Sequence, residues 1–467
     1  MNYADSERIA SVLEKIGYKK SSDIEKADLI LVNMCSVRQS AVDRVFGIAT
    51  RFKELKTKNY KLTLRQAQGD GERSRTIKTI LTGCVLKKDR IKFKKKFDLV
   101  LDIKDLSKLP KILSAKKSLN IKNYFKIKPK YQSSFSAFVP IMTGCNNFCS
   151  YCAVPYTRGR EISRPAKEIL CEIKILIKKG YKEIWLLGQN VNSYQSIGKN
   201  SSAVASAKAD KIIKFHDLLK MVNEITGNFW IRFTSSHPKP STRAELGAGP
   251  VPHRNKVSGA GDFSWDELIG TMANCKKVTE YLNLPVQSGD DKILKKMNRP
   301  YTIKKYKEIV RKIRNKIPRI SLSTDIIVGF PGETKKQFQN TIKLFRKIKY
   351  DMAYIAKYSP RAGTIASKLK DSVSAKEKER RYKVLTEILK KTALEKNKEY
   401  IGKEVKVLVE RQETSDKRQV YFGKTRTYKT VKIHNSQFLI HNSDLVGQFV
   451  KVKIIDASPW GLNGNLI

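Results

Sequence analysis

The sequence predicts an α/β protein in three parts: an N-terminal parallel-sheet α/β domain lacking its first strand (1–130), a central partial (β/α)6 barrel with a closing helix (131–398), and a small C-terminal β-barrel (399–467). Three observations carry this. Apolar runs of strand length alternate with helical patterns from Met1 to about Ala366, the signature of a parallel sheet covered by helices. Ser374-Ala-Lys-Glu377 then reads as a capping box opening a long charged helix to about Tyr400. Beyond it, strand patterns at 404–410, 419–425 and 449–456 follow with no helix between them, which suits a barrel of the oligonucleotide-binding sort.

In the first part, Ile9, Val12 and Leu13 place a helix over 6–16. Strands are expected at 28–34, 78–82 and 98–103, with a helix over about 37–55 and a basic helix after the second strand. A parallel α/β unit normally places a strand before its opening helix, so the chain reads as starting after one. In the second part, strands are expected at 137–142, 183–187, 230–235, 281–286, 320–328 and 352–358. Between the first two, Ile169, Ile173, Leu176 and Ile177 share one helical face over 165–179, and Gly180 ends it. Such barrels carry their sites at the C-terminal ends of the strands. The stretches 63–75 and 240–262, and more mildly 201–210, differ in composition from their surroundings and read as inserted surface loops without function.

Composition narrows the function. The 467 residues carry 94 Lys+Arg against 44 Asp+Glu, a formal net charge of +50. With 40% hydrophobic and 9% aromatic residues, the chain is too apolar for a disordered polycation. No apolar run reaches the roughly 18 residues of a membrane span, and the polar start is no signal peptide. The expectation is a soluble cytoplasmic protein, with nothing to suggest an obligate oligomer, so a monomer. A polyanionic partner, most naturally nucleic acid, accounts for the charge; a general lysine bias is the plainer account.

The chemistry lies in the cysteines. There are seven, an odd number in a long chain, so metal or redox chemistry is expected before a disulfide framework. Cys145-Asn-Asn-Phe-Cys149-Ser-Tyr-Cys152 is C-x3-C-x2-C between a predicted strand and helix. Three thiolates on one loop hold three irons of a cubane cluster and leave the fourth open to a small molecule. A structural zinc site would want a nearby fourth Cys or His, and none follows. Cys35 and Cys84 each follow a predicted strand, so both fall at the C-terminal edge of one parallel sheet, where α/β ligand sites form. They read as ligands of a common site, or as two buried structural thiols. Cys171, in the middle of a predicted helix, has no partner at ligand spacing, and Cys275, remote from any cysteine partner, reads as structural.

The C-x3-C-x2-C loop in a partial barrel resembles the radical S-adenosylmethionine superfamily. The whole chain outside the inserts is similar to methylthiotransferases of the MiaB type, which modify tRNA. The resemblance rests on Asn33-Met-Cys35-Ser-Val-Arg38, Thr82-Gly-Cys84, Gly144 to Cys152, Pro155-Tyr-Thr-Arg-Gly-Arg160 and Leu187-Gly-Gln-Asn-Val-Asn192. It continues through Arg232-Phe-Thr-Ser-Ser-His-Pro238, Leu284-Pro-Val-Gln-Ser-Gly289, Asp325-Ile-Ile-Val-Gly-Phe-Pro-Gly-Glu333 and Tyr358-Ser-Pro-Arg361, in order. The tail resembles a TRAM domain, a small RNA-binding β-barrel. The Cys-Ser-Val-Arg and Ser-Ser-His-Pro variants resemble the branch acting on isopentenylated adenosine beside the tRNA anticodon.

The resemblance implies two 4Fe-4S clusters and S-adenosyl-L-methionine. Cys145, Cys149 and Cys152 would hold the radical cluster. Cys35 and Cys84 would hold the auxiliary one together with a third cysteine, which the family carries in a segment before the point where the match begins at Met1-Asn2. One S-adenosylmethionine methylates sulfur on the auxiliary cluster, and a second yields a 5′-deoxyadenosyl radical that takes hydrogen from carbon 2 of the adenine at position 37, to which the methylthio group is transferred. An electron donor is implied. Tyr151, Gly188, Gln189, Ser236, Gln287 and Asp325 are the expected S-adenosylmethionine contacts, with His237 a polar site residue or a structural histidine. Arg158, Arg160 and Arg164 are placed for a carboxylate or for RNA phosphates, and Lys424, Arg426 and Lys429 are candidates for RNA phosphates, with Tyr421, Phe422 and Tyr428 for stacking or for filling the barrel. Two rival readings stay open: a tRNA-binding product without full catalysis because its auxiliary site is incomplete, and a related methylthiotransferase with another substrate.

Overall fold

The computed structural model describes residues 1–36, 39–66, 77–113, 123–198, 211–238, 263–415, 418–434 and 445–467. Arg38 and most of the three expected surface loops lie outside them. The chain forms two compact units. One comprises Met1–Gln132, Thr143–Ile162 and Ser359–Lys368; the other comprises Ser133–Met142, Ser163–Tyr358 and Leu369–Ile467.

The first unit is built on three parallel strands in the order β1-β2-β3: β1 (Leu29–Cys35), β2 (Lys78–Cys84) and β3 (Leu99–Val100). Alternation along β2 sends Leu81 and Ile80 to opposite faces. Leu81 joins Met34, Val42, Val45, Phe52 and Phe93 under the helix Gln39–Gln66. Ile80 joins Ile9, Val12, Leu106 and Tyr124 under the helix Asn2–Lys15. The second helix runs well past its expected end near Leu55. The third strand is shorter than the expected 98–103: Leu101 N–H still donates to the Leu81 carbonyl (2.8 Å), but Ile103–Lys108 then winds into a 3-10 helix and the extended pairing stops.

The second unit contains six parallel strands, β4 (Ser136–Pro140), β5 (Glu183–Leu187), β6 (Trp230–Phe233), β7 (Tyr281–Asn283), β8 (Ser321–Val328) and β9 (Met352–Lys357). An Ile231–Val278 bridge joins the two three-stranded halves, so the strands follow in chain order as a partial barrel. Helix Ala166–Lys178 buries Ile169, Ile173 and Leu176, as its periodicity predicts. Helix Ala375–Lys398 is capped by Ser374, whose Oγ accepts from Glu377 N–H at 3.2 Å. Only that half of the expected box is seen, because the Glu377 carboxylate is held by Arg380 and Arg381.

The tail closes into a five-stranded barrel of β10 (Glu404–Ser415), β11 (Arg418–Thr425), β12 (Thr430–His434), β13 (Phe449–Ser458) and β14 (Gly461–Leu466), in the order β10-β11-β12-β14-β13. β12 and β14 go beyond the strands read from the sequence; both are short, and β14 carries two glycines. Val407, Val409, Tyr421, Val431, Ile433, Val452 and Ile454 fill the interior.

The turn between β11 and β12 is seated on the N-terminal ends of the larger barrel's strands. Tyr428 packs against Trp185 and Tyr281, with ring centroids 5.2 and 4.7 Å away. Arg232, fully buried, pairs with Glu183 and donates to the carbonyls of Thr425 (2.8 Å) and Arg426 (2.9 Å). Arg426 pairs with Glu280 at 2.9 Å, and Lys429 with Asp351 at 2.8 Å.

Candidate functional site

Within the first unit, two sets of cysteines are positioned by different means. Cys35 and Cys84 are the last residues of β1 and β2 and stand opposite each other in the parallel register. The strands end together because Ser36 N–H donates to the Cys84 carbonyl at 3.0 Å. Gly83 precedes Cys84 at φ +102°, where a Cβ would lie 2.2 Å from the Met34 carbonyl oxygen, so only glycine admits so close an approach of the strands.

Cys145, Cys149 and Cys152 lie on the loop that precedes the short helix Val154–Arg158. Gly144 (φ +77°) lets the loop start against residues 159–160, since a Cβ there would meet the Arg160 carbonyl oxygen at 2.0 Å. Cys145 N–H donates to the Gly159 carbonyl (3.2 Å), Cys152 N–H to the Cys149 carbonyl (3.0 Å), and Val154 N–H to Cys152 Sγ (3.5 Å). Ala366 N–H ties the loop to 359–368 by donating to the Ser150 carbonyl (2.7 Å). Phe148 (φ +47°) carries the exposed Arg160 guanidinium over its ring at 4.4 Å. Tyr151 is half-buried within the same loop.

The cysteine pair is met by a buried cation from the loop's own helix. Helix Val154–Arg158 packs against β2. Arg158 Nε–H donates to Cys84 Sγ at 3.0 Å. The guanidinium also pairs with Asp5 and reaches Asn2 Oδ1 at 3.4 Å; Asp5 in turn accepts from Tyr124 O–H at 2.6 Å. The Arg158 and Asp5 side chains are 3% and 0% exposed. Burial pushes the Cys84 thiol up, and the neighbouring Arg158 pulls against that rise. Burial also opposes the charge of Arg158, but Cys84 and Asp5 outweigh it and hold the guanidinium protonated. On the other side, buried Arg361 donates to Gln39 Oε1 at 2.8 Å; burial lowers its pKa, while Asp89, Asp43 and Cys35 act in the opposite sense.

Among the described residues, no three His, Cys, Asp or Glu side chains already converge as a metal site. The donor set nonetheless suits iron and sulfur. These five cysteines are in no disulfide, three of them on one loop and two paired at strand ends beside guanidinium groups that match the negative charge of a thiolate-ligated cluster.

In the second unit, four of the expected S-adenosylmethionine contacts follow the C-terminal ends of barrel strands, Gln287 among them, while Asp325 lies within β8. Gly188 and Gln189 follow β5, and Ser236 follows the adjacent β6. Gln189 Oε1, Asn190 Oδ1, Asn192 Oδ1 and Ser236 Oγ are buried with no hydrogen-bond partner among the described residues. Unsatisfied buried polar atoms of this kind are costly in a packed interior and fit a polar ligand. Asn192 Nδ2 holds the His237 carbonyl at 3.1 Å, and the His237 ring packs edge-on against Tyr301. Gln287 (φ +69°) donates its N–H to the Asp325 carbonyl at 2.9 Å, and Asn283 Nδ2 donates to Asp325 Oδ2 at 3.1 Å.

The basic residues expected at phosphates are placed differently. Arg158 is buried against Cys84 and Asp5, and Arg164 is buried against Glu168 and Glu172. Lys429 is buried on Asp351, Arg426 is paired with Glu280, and half-buried Lys424 donates to Thr430 Oγ1 at 2.6 Å. The charges of Arg158, Arg164, Arg426 and Lys429 are matched inside the fold, and Arg160 alone of the six is exposed. Tyr421 fills the small barrel, Tyr428 fills the joint, and Phe422 lies under Arg411 at 4.0 Å. Asp5, Tyr124 and Arg361 are site residues that the sequence reading passed over; the Tyr358-Ser-Pro-Arg361 motif was the one signal for the last.

Three family profiles cover these parts: the Radical SAM superfamily over 139–345, Uncharacterized protein family UPF0004 over 1–103, and the TRAM domain over 398–467. The fold and cysteine set thus define a radical S-adenosylmethionine protein with an RNA-type tail. The chain is 40% identical over its whole length to the "tRNA-2-methylthio-N(6)-dimethylallyladenosine synthase" of Thermoanaerobacter sp. (strain X514), covering 90% of it. It is equally identical to the protein of the same name from Clostridium botulinum (strain Langeland), covering 95%. The chain belongs to this family of tRNA-2-methylthio-N(6)-dimethylallyladenosine synthases. A looser likeness, at 12% identity and a TM-score of 0.46, is to the radical S-adenosylmethionine methyltransferase TsrM from Kitasatospora setae, covering 76% of this chain and 70% of that one.

Proposed function

We propose that this protein transfers a methylthio group to carbon 2 of isopentenylated adenosine 37 in tRNA by radical S-adenosylmethionine chemistry. The observation that carries the reading is the joint occurrence, in one compact unit, of a C-x3-C-x2-C loop and a register-matched cysteine pair at the end of a parallel sheet. When bound, the iron–sulfur centres supply the electron that cleaves S-adenosylmethionine and the site from which sulfur is delivered.

Cys145, Cys149 and Cys152 hold the first centre, and Cys35 and Cys84 contribute to the second. Gln189 and Ser236, with Tyr151, Gly188, Gln287 and Asp325, bind S-adenosylmethionine, the buried unsatisfied oxygens of the first two supporting this. Carbon 2 of adenine carries an inert C–H bond that no acid–base side chain activates, so the protein's share of the work is to orient and to exclude water. The base leaves the anticodon-loop stack to be reached. Residues 1–130 serve sulfur, 131–398 the radical, and 399–467 the RNA, with Arg160 and the exposed lysines, among them Lys94-Lys95-Lys96, following phosphates. An external electron donor, a monomeric state and a cytoplasmic setting complete the reading. No helix among the described residues is long and apolar enough to cross a membrane.

The test is nucleoside mass spectrometry of tRNA from a host lacking this modification and expressing the chain. The methylthiolated isopentenyladenosine is expected with the parent and absent with Cys149→Ala. Isopentenyladenosine left unmodified by the parent refutes the reading.

A further inference from the structure

We infer that Arg158 is a positioning residue for the Cys84 sulfur, setting how firmly the N-terminal site holds iron and at what potential. The inference rests on the reading that Cys35 and Cys84 bind an iron–sulfur cluster.

The geometry is specific. A guanidinium presents five donors in a fixed fork. Here the Nη groups face Asp5 and Asn2, which leaves Nε–H directed at Cys84 Sγ, 3.0 Å away. Tyr124 O–H at 2.6 Å braces Asp5 from behind, so the fork is fixed by a buried chain of Tyr124, Asp5 and Arg158. A neutral thiol is a weak acceptor that would poorly repay burying a guanidinium N–H; a cysteinate ligated to an anionic cluster is a charge-assisted one. Hydrogen bonds and positive charge at a ligand sulfur favour the more reduced, more negative state and so raise the potential. Arg158 also stands six positions after Cys152 on the same short segment. The segment that carries the radical loop therefore also anchors the sulfur site.

The experiment uses the full chain, reconstituted anaerobically with iron and sulfide, in a Cys145→Ala/Cys149→Ala/Cys152→Ala background where bound iron reports the N-terminal site. Arg158→Gln and Arg158→Lys are compared with that background by iron retention against a chelator and by an EPR-monitored redox titration. Arg158→Gln is expected to release iron roughly 10- to 100-fold more readily and to titrate at a more negative potential, with Arg158→Lys in between. Asp5→Asn, which keeps Arg158 but loosens it, should shift both in the same sense by less, and serves if Arg158→Gln does not fold. In a Cys35→Ala/Cys84→Ala background, Arg158→Gln should leave the EPR signal of the radical-loop cluster as it was, whereas a merely structural role would disturb it. Unchanged iron retention and potential in both Arg158→Gln and Asp5→Asn overturn the inference alone. Absence of iron from the triple-alanine background itself refutes the cluster reading, and the inference falls with it.

Discussion

Two buried arginines, Arg158 in the first unit and Arg232 in the second, differ in what their last donors face. Arg232 is closed on every side: Glu183 takes its Nε, two carbonyls of the β11–β12 turn take its Nη groups, and Glu183 itself also accepts from Trp185 and Ser136. Such a network is complete as it stands, which is what a structural joint requires. Arg158 is half closed by Asp5 and spends its remaining donor on a sulfur. The contrast is between a cation closed by carboxylate and carbonyls and one whose last donor ends on a cysteine sulfur.

The comparison breaks most sharply at the cysteines. Replacing any one of Cys145, Cys149 and Cys152 by alanine should abolish S-adenosylmethionine cleavage and remove about four irons per chain, read by product chromatography and iron assay. Next comes the joint. Asp351→Asn leaves Lys429 and Lys396 facing no carboxylate and should cost about 3–5 kcal/mol, measured by denaturant melts of the full chain. Tyr428→Ala removes the ring wedged against Trp185 and Tyr281 and should cost about 3 kcal/mol by the same measurement.

The acid side sharpens the contrast. Burial opposes the charge of Asp351, but Lys429 and Lys396 outweigh it and hold its pKa below the usual carboxylate range. A carboxylate with a depressed folded pKa contributes stability above its unfolded value of about 3.9. That contribution fades as pH falls through the folded value. Melts of the parent and of Asp351→Asn should therefore differ fully at neutral pH and converge in strong acid. At the small end, Asp266 and Lys312 form an exposed pair, their side chains 69% and 49% accessible. Asp266→Asn should change stability by less than about 1 kcal/mol, and by less again in high salt.

Most parallel strands were legible because their apolar runs are local facts, and Glu183–Leu187 and Ala166–Lys178 came out almost to the residue, whereas the short β12 and β14 were not read. The C-x3-C-x2-C loop and the placement of Cys35 and Cys84 at strand ends were legible for the same reason. Partnership was not. Arg158 meets Cys84 across 74 positions and Asp5 across 153, so nothing in its neighbourhood told a phosphate ligand from a buried anchor. The same holds for Lys429 and Tyr428. A cation beside an aromatic in a basic tail has the composition of an RNA contact, and only tertiary packing turned both inward. β3 ended early because Ile103 turns the chain, a choice its apolar pattern does not record.

The seating of Tyr428 and Lys429 on the strand starts has a consequence for heredity and for engineering. The last seventy or so residues are not a detachable module. A chain cut after Lys398 would lay bare Trp185 and Tyr281 and leave Arg232 short of its two carbonyl partners. Swapping in another such tail would succeed only if it brought the same turn. The two barrels should thus be inherited, truncated and recombined as one piece.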